Sequence, residues 1–172
     1  MAESQEAPQP PRAPSLERRP RFTPLQRWGL PLLALAPLLA LTGLLGVTSQ
    51  RVTATEGPLT LEVEHPNRAR KGVTATLTVT VRNAGPAPLA DVVLELERGY
   101  LESFEEADVE PAPDAATQDA FRFELGELEA GASRVVSAVL TADRYWRRPG
   151  TARVEAAGVP PLSLGFATFT FP

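Results

Sequence analysis

The feature that most constrains this chain is an uncharged, strongly apolar run of 20 residues from Trp28 to Val47. The charged residues that bound it are Arg27 and Arg51, and none lies between them. As a helix, about 20 residues at about 1.5 Å each span about 30 Å, the thickness of the hydrocarbon core of a bilayer. We therefore predict a transmembrane helix over residues 28–47.

Two other structures compete for such a run. A buried core helix is usually shorter and less uniformly apolar. A cleaved signal peptide usually has an apolar region of about 7–15 residues, a short charged region before it and an A-x-A-like site after it. The nearest small-residue sites here are residues 47–49 and 53–55, and neither has that pattern. We expect an uncleaved anchor, with the signal peptide as its rival.

Positive charge before the run predicts its orientation. The nearby basic residues on that side are Arg18, Arg19, Arg21 and Arg27. On the other side only Arg51 is close, so the positive-inside rule places the N-terminus in the cytoplasm and residues from about 50 onward outside. The Pro- and Arg-rich tail, residues 1–27, has few apolar residues, and we expect it to be disordered and cytoplasmic.

Composition excludes several function classes. The 172 residues include no Cys and one His, which removes disulfides, thiolate metal sites and Cys nucleophiles, and makes His-based catalysis unfavourable. The net charge of −4 combines a basic tail with a C-terminal part of 12 basic and 18 acidic residues, the opposite of a nucleic-acid binder. We expect no enzyme activity, no cofactor, no metal site and no nucleic-acid partner.

Beyond the run, the dominant period is two. Apolar residues alternate with Thr from residue 73 to 81, as in a half-buried strand. Similar patterns predict strands at residues 59–64, 73–82, 92–97, 121–125, 134–141, 151–156 and 162–171. A change of parity in the last strand predicts a bulge near residues 165–168. We predict an all-β fold, an antiparallel immunoglobulin-like β-sandwich of about seven strands over residues 58–172, joined to the anchor by a short tether at 48–57.

The break after residue 82 has turn chemistry. Asn83 and Gly85 tolerate positive φ, and the Asn side chain can bond to its own backbone. Gly126 and Gly131 bracket a second short turn. We interpret all four residues as structural.

Three blocks resemble bacterial DUF11/CARDB-type immunoglobulin-like domains. Residues 77–96 match the family's strand, Asn-x-Gly turn and second strand; residues 123–140 match a Leu-Gly turn followed by a long strand; residues 149–157 match the closing strand. The blocks occur in family order and cover most of residues 59–158. The resemblance implies an immunoglobulin-like fold and little about function. Residues 97–104 replace the family's usual acidic-Leu-Pro stretch.

The most conspicuous surface candidate is the loop of Tyr145, Trp146, Arg147 and Arg148, since Trp, Tyr and Arg often anchor interfaces. Three interpretations apply: Trp146 caps one end of the core, the loop binds a protein or glycan, or the loop touches lipid head groups.

Two further features are expected to be structural. His65 precedes Pro66 in a predicted loop and has no second His or Cys to join it. Residues 102–110 hold five carboxylates, the oxygen ligands that Ca²⁺ prefers, but without EF-hand spacing or a Gly. We expect that segment to be a solvated loop that binds no Ca²⁺.

These observations favour a non-enzymatic envelope protein anchored in the cell membrane. Its extracytoplasmic domain would serve as a structural or protein-interaction module, in contact with the bilayer through residues 28–47 and with a membrane-proximal protein partner. The alternative is an accessory subunit of a membrane transporter or secretion complex. Gly43 and Gly46 would then allow close helix approach, although their spacing is not G-x-x-x-G.

Overall fold

The computed structural model describes residues 48–172 and, before them, Gly29, Leu33, Leu35, Pro37 and Leu38. The chain divides into two compact units, Met1–Thr42 and Gly43–Pro172. In the first unit, the described positions have helical backbone geometry. Among the residues described, no helix is long and apolar enough to cross a membrane. The tail 1–27 and most of the apolar run lie outside the described residues.

The second unit is built from ten strands and one short helix. The strands are β1 (Thr48–Glu56), β2 (Leu59–Arg70), β3 (Thr74–Asn83), β4 (Leu89–Glu97), β5 (Glu106–Glu110), β6 (Ala115–Ala116), β7 (Ala120–Leu128), β8 (Ser133–Thr141), β9 (Trp146–Ala156) and β10 (Val159–Phe171). The helix α1 (Arg98–Leu101) lies between β4 and β5. The all-β class is confirmed, and each of the seven predicted strands is present. The expected count of about seven is too low, because β1, β5 and β6 were not predicted.

The strands form one continuous sheet, ordered β5-β8-β3-β2-β10-β9-β4-β7-β6, with β1 paired to β2. All pairings are antiparallel except β2 with β10, which is parallel and joins Arg68–Arg70 to Phe169–Phe171. The expectation of a purely antiparallel sandwich is therefore corrected. β10 is 13 residues long, so it pairs with β9 along most of its length and reaches β2 with its last residues.

The sheet curls around a single core to which both of its halves contribute. Leu59, Leu61 and Val63 of β2 are fully buried, and they belong to the same apolar cluster as Leu94 of β4 and Val154 of β9. Burying a Leu or Val side chain stabilises a fold by about 1.5–3 kcal/mol. Since the described core lies wholly within residues 48–172, this part of the chain, which we call the β unit, has its own core.

The segment expected to be a tether, 48–57, is instead mostly β1. Its register with β2 runs from Thr48 opposite Arg68 to Glu56 opposite Leu59. Most of its side chains are exposed, and only Val52 and Ala54 pack against the core. The strand was missed because an edge strand of this kind buries too few residues to produce a clear alternation.

The turn after β3 is organised by the side chain of Asn83, which is fully buried. Its Nδ2 donates hydrogen bonds to the carbonyls of Ala87 at 2.7 Å and Leu128 at 2.9 Å, and its Oδ1 accepts one from Gly85 N–H at 2.9 Å. This confirms the structural interpretation of Asn83. Gly85 has no positive φ, contrary to one expectation; a Cβ there would come within 2.6 Å of Pro58 Cβ.

The expected bulge near residues 165–168 of β10 is absent. Pairing with β9 continues without a shift from Leu162 to Thr170, and the irregularity lies earlier, between Val159 and Leu162. The change of apolar parity has another cause. Thr168 and Thr170 continue the buried face, whereas Phe169 faces outward and is 49% exposed.

Candidate interaction surface

The loop predicted to carry an interaction lies at the start of β9, and its two aromatic side chains are on the surface. Trp146 is 77% exposed and Tyr145 is 53% exposed. The interpretation of Trp146 as a cap on the core is therefore wrong. The backbone of Trp146 has a φ of 141°, which L residues rarely adopt. A non-Gly residue held in such a region costs about 1–3 kcal/mol.

Arg148 differs from its three neighbours because its side chain is buried, only 7% exposed. Its guanidinium donates hydrogen bonds to Thr170 Oγ1 at 2.9 Å and to Asp143 Oδ1 at 3.2 Å, and lies 4.7 Å from the ring centroid of Phe104. Burial lowers the pKa of Arg148, and the Asp143 carboxylate opposes that shift. Arg148 is thus a structural residue of the loop and is not displayed to a partner.

Tyr100 of α1 supports this region from within. Its ring packs edge-on against Phe104 and Phe166, with centroids 5.1 Å and 5.0 Å away. Its hydroxyl is hydrogen-bonded to Thr168 Oγ1 at 2.8 Å, and burial raises the pKa of Tyr100 to about 12. A Cβ at Gly150 would come within 2.8 Å of the rings of Tyr100 and Phe166, so β9 passes close to these two rings.

Strand pairing brings further residues to the exposed part of the loop. Phe169 of β10 is paired with Arg147 of β9 and with Arg68 of β2. Lys71, in the turn after β2, places its ammonium 5.5 Å from the ring centroid of Tyr145. We call this surface the aromatic–basic patch and define it by its exposed members Arg68, Lys71, Arg144, Tyr145, Trp146, Arg147 and Phe169. Of these residues, only the contiguous Tyr145, Trp146 and Arg147 were predicted from the sequence.

His65 lies inside β2 rather than in the predicted loop, and it is buried. Its ring packs against Phe166 at a centroid distance of 5.2 Å, and its Nδ1 has no hydrogen-bond partner. Burial lowers the pKa of His65. The ring belongs to the packing between β2 and β10.

The acidic segment 102–110 is not one loop. Glu102 follows α1 and accepts a hydrogen bond from Arg98 Nε at 2.6 Å. The last three carboxylates of the segment belong to β5, where Asp108 is paired with Val139 of β8. Within the part of the chain that the structure describes, no group of three His, Cys, Asp or Glu side chains could hold a metal ion.

The residues predicted to set topology, Arg18, Arg19, Arg21 and Arg27, lie outside the described residues. The structure therefore places only the β-unit part of the expected site residues.

Comparison with known proteins gives structural similarities only. No family model and no curated protein matches the chain. The chain is similar to a solution structure of a CARDB domain from Pyrococcus furiosus, with 14% identity, a TM-score of 0.46, and coverage of 66% of this chain and 94% of that one. A crystal structure of the same domain in complex with di-metal ions has 14% identity, a TM-score of 0.45, and coverage of 71% and 95%.

A bacterial hydrophobin, BslA, is also similar, with 10% identity, a TM-score of 0.41, and coverage of 69% of this chain and 99% of that one. All three likenesses combine low identity with a modest TM-score. The all-β class of the β unit is established by its own hydrogen-bonded strands.

Proposed function

We propose that this chain is a single-pass membrane protein, with its N-terminus in the cytoplasm and its β unit on the outer side of the cell membrane. The supporting sequence feature is the uncharged run 28–47, which is long enough to cross a hydrocarbon core. Four Arg precede it within ten residues, and only Arg51 follows closely. The first described strand begins at Thr48, the residue that follows the run in the sequence.

The β unit acts by contact, as a structural or interaction module of the envelope, rather than as an enzyme. The observation that carries this proposal is the aromatic–basic patch on a compactly packed sheet. Exposed Trp, Tyr and Arg side chains are those that most often supply binding energy at interfaces. The buried ionisable groups beside the patch, Tyr100 and Arg148, are held in packing and hydrogen bonds.

Membrane extraction of the full chain tests this proposal. We expect a chain of 18.5 kDa to stay in the membrane pellet after alkaline carbonate treatment. A Leu39→Arg variant should insert poorly, since a charge at the centre of a span costs about 2.5–3.5 kcal/mol. A Gln50→Arg variant, which places the same charge beyond the run, should remain in the pellet. A shorter, released chain would support the cleaved signal peptide and contradict the proposal.

A second candidate function is an accessory subunit of a transporter or secretion complex. Gly43 and Gly46 favour it, because small residues let transmembrane helices approach closely. Purification in mild detergent separates the two candidates. A stoichiometric integral-membrane partner that is lost in a variant with Leu at both Gly positions would favour the subunit. Purification without such a partner would favour the independent module.

A further inference from the structure

The start of β1 and the aromatic–basic patch lie at the same end of the β unit. Thr48 is paired with Arg68, Arg68 with Phe169, and Phe169 with Arg147. Neighbouring strands are about 4.8 Å apart, so these three steps place Arg147 of the patch within about 15 Å of Thr48. We call this end the Thr48 end. The chain enters the β unit beside its most exposed aromatic residues.

Exposed aromatic residues are concentrated at this end. Among the large apolar side chains exposed in residues 48–172, the aromatic ones are Tyr145, Trp146 and Phe169, and all three belong to the patch. Trp and Tyr are enriched at membrane–water interfaces, because their rings are apolar and their polar atoms reach water.

The charge around these rings is basic, although the β unit as a whole is acidic. Arg68, Lys71, Arg144 and Arg147 surround the rings within the patch, and Arg70 lies beside them at the end of β2. Asp143 is bound to Arg144 and Arg148 in ion pairs. Glu102 and Glu105 line one surface pocket together with the start of β9, and Glu106 follows beside β8. Carboxylates therefore bound the basic surface on its β8 side, and its unopposed part lies at the β2–β3 turn.

We propose that the aromatic–basic patch docks on an anionic lipid surface and lays the Thr48 end of the β unit against the head groups. This inference rests on the proposed function, because it requires residues 28–47 to span the same bilayer. Residue 47 is bonded to Thr48, so docking is an intramolecular step with a high effective concentration. Each Lys or Arg near an anionic surface then multiplies the docked population by about five.

A lipid surface fits the patch better than a protein does, for two reasons on the molecule itself. The patch lies at the same end of the β unit as Thr48, the residue that follows the proposed anchor in the sequence, so head groups would be within reach without any other partner. The patch also combines aromatic rings with basic groups, and segments that bind at the surface of anionic membranes use the same combination. A protein partner remains one outcome of the test.

Fluorescence of Trp146 in the full chain tests the proposal. The sequence has two Trp residues, so Trp28→Phe leaves Trp146 as the only reporter. We would reconstitute this variant into phosphatidylcholine vesicles with or without phosphatidylglycerol, using lipids brominated near the head of the acyl chain as quenchers. With phosphatidylglycerol, we expect a blue-shifted Trp146 emission that brominated lipid quenches. Added salt should reverse both effects, since it screens exposed charges.

A matched control places the reporter at the other end of the sheet. Ala87 is exposed in the turn after β3, whose last residue, Asn83, is paired with Leu59 at the far end of β2. A chain with Trp28→Phe, Trp146→Phe and Ala87→Trp should show no quenching by the same lipids. Lys71→Gln with Arg147→Gln should lower the docked population about 25-fold, the product of two such charges.

Flotation of the vesicles in a density gradient separates the two proposals. A chain that floats and whose Trp146 is quenched supports docking. A chain that floats while Trp146 stays fully exposed and unquenched overturns docking and leaves the anchor standing. A chain that does not float overturns the anchor and the docking together.

Discussion

Replacing Asn83 by Ala should strongly destabilise the β unit, because one side chain holds three backbone groups from two turns. The change leaves the carbonyl of Leu128 buried without a donor, which costs about 1–3 kcal/mol. The bonds to Ala87 and Gly85 are partly buried, and each contributes about 0.5–1.5 kcal/mol. The expected loss is therefore about 4 kcal/mol, a large part of the ordinary stability of a domain.

We would measure this loss on residues 48–172, which contain their own core, by circular dichroism during heating and in urea. For a unit of this size, a loss of about 4 kcal/mol lowers the melting temperature by about 15 °C. The only other Asn in the chain, Asn67, is exposed in β2, and Asn67→Ala should change stability by less than about 0.5 kcal/mol. An Asn83→Ala variant within about 1 kcal/mol of the original would refute the assigned hydrogen bonds.

Three further predictions concern the start of β9 and the buried side chains that pack beneath it. Trp146→Ala should leave the free energy of unfolding nearly unchanged, because the side chain is exposed. Trp146→Gly should raise that free energy by about 1 kcal/mol, because Gly adopts the positive φ without strain. A large loss of stability in the Trp146→Ala variant, measured by urea denaturation, would show that the side chain is part of the core. Arg148→Ala should lower the free energy of unfolding by about 2–4 kcal/mol, because it empties a buried site and leaves Thr170 and Asp143 without their hydrogen-bond donor. Arg147→Ala, at an exposed position, should change it very little. Equal losses of stability in the two variants would contradict the burial of Arg148. The free energy of unfolding should fall between about pH 10 and 12, because Tyr100 ionises near pH 10 when unfolded and near pH 12 when folded. Urea denaturation at a series of fixed pH values measures this slope, and Tyr100→Phe should remove it. A slope that persists in the Tyr100→Phe variant would contradict the assignment to Tyr100.

The strands that the sequence predicted are those that alternate. β3 repeats a buried and an exposed residue along its length, so its existence and its faces could be assigned from sequence. β1 and β5 bury little: only Val52 and Ala54 of β1 and Val109 of β5 pack against the core, so the alternation in each strand is too short and weak to predict it. β1 forms a hairpin with β2, which follows it directly, whereas β5 is paired with β8, which lies beyond β6 and β7 along the chain.

The aromatic–basic patch was predictable only where its residues are neighbours in the sequence. Tyr145, Trp146 and Arg147 stand together in the sequence, so their composition indicated a surface loop. Lys71 and Phe169 join them through long-range pairing that no local pattern encodes. Arg148 was predicted to be on the surface and is buried. Its burial could not be predicted from the sequence either, because its partners Thr170 and Phe104 come from other segments of the chain.

The central claim is that the chain crosses the membrane once, with the β unit outside, and the absence of Cys makes this directly measurable. A Cys can be placed at Ser15, in the tail, or at Ser133, exposed at the start of β8. In intact cells, a membrane-impermeant maleimide should label the Ser133→Cys chain, and should label the Ser15→Cys chain only after permeabilisation. The reverse pattern, or labelling of both positions in intact cells, would contradict the account.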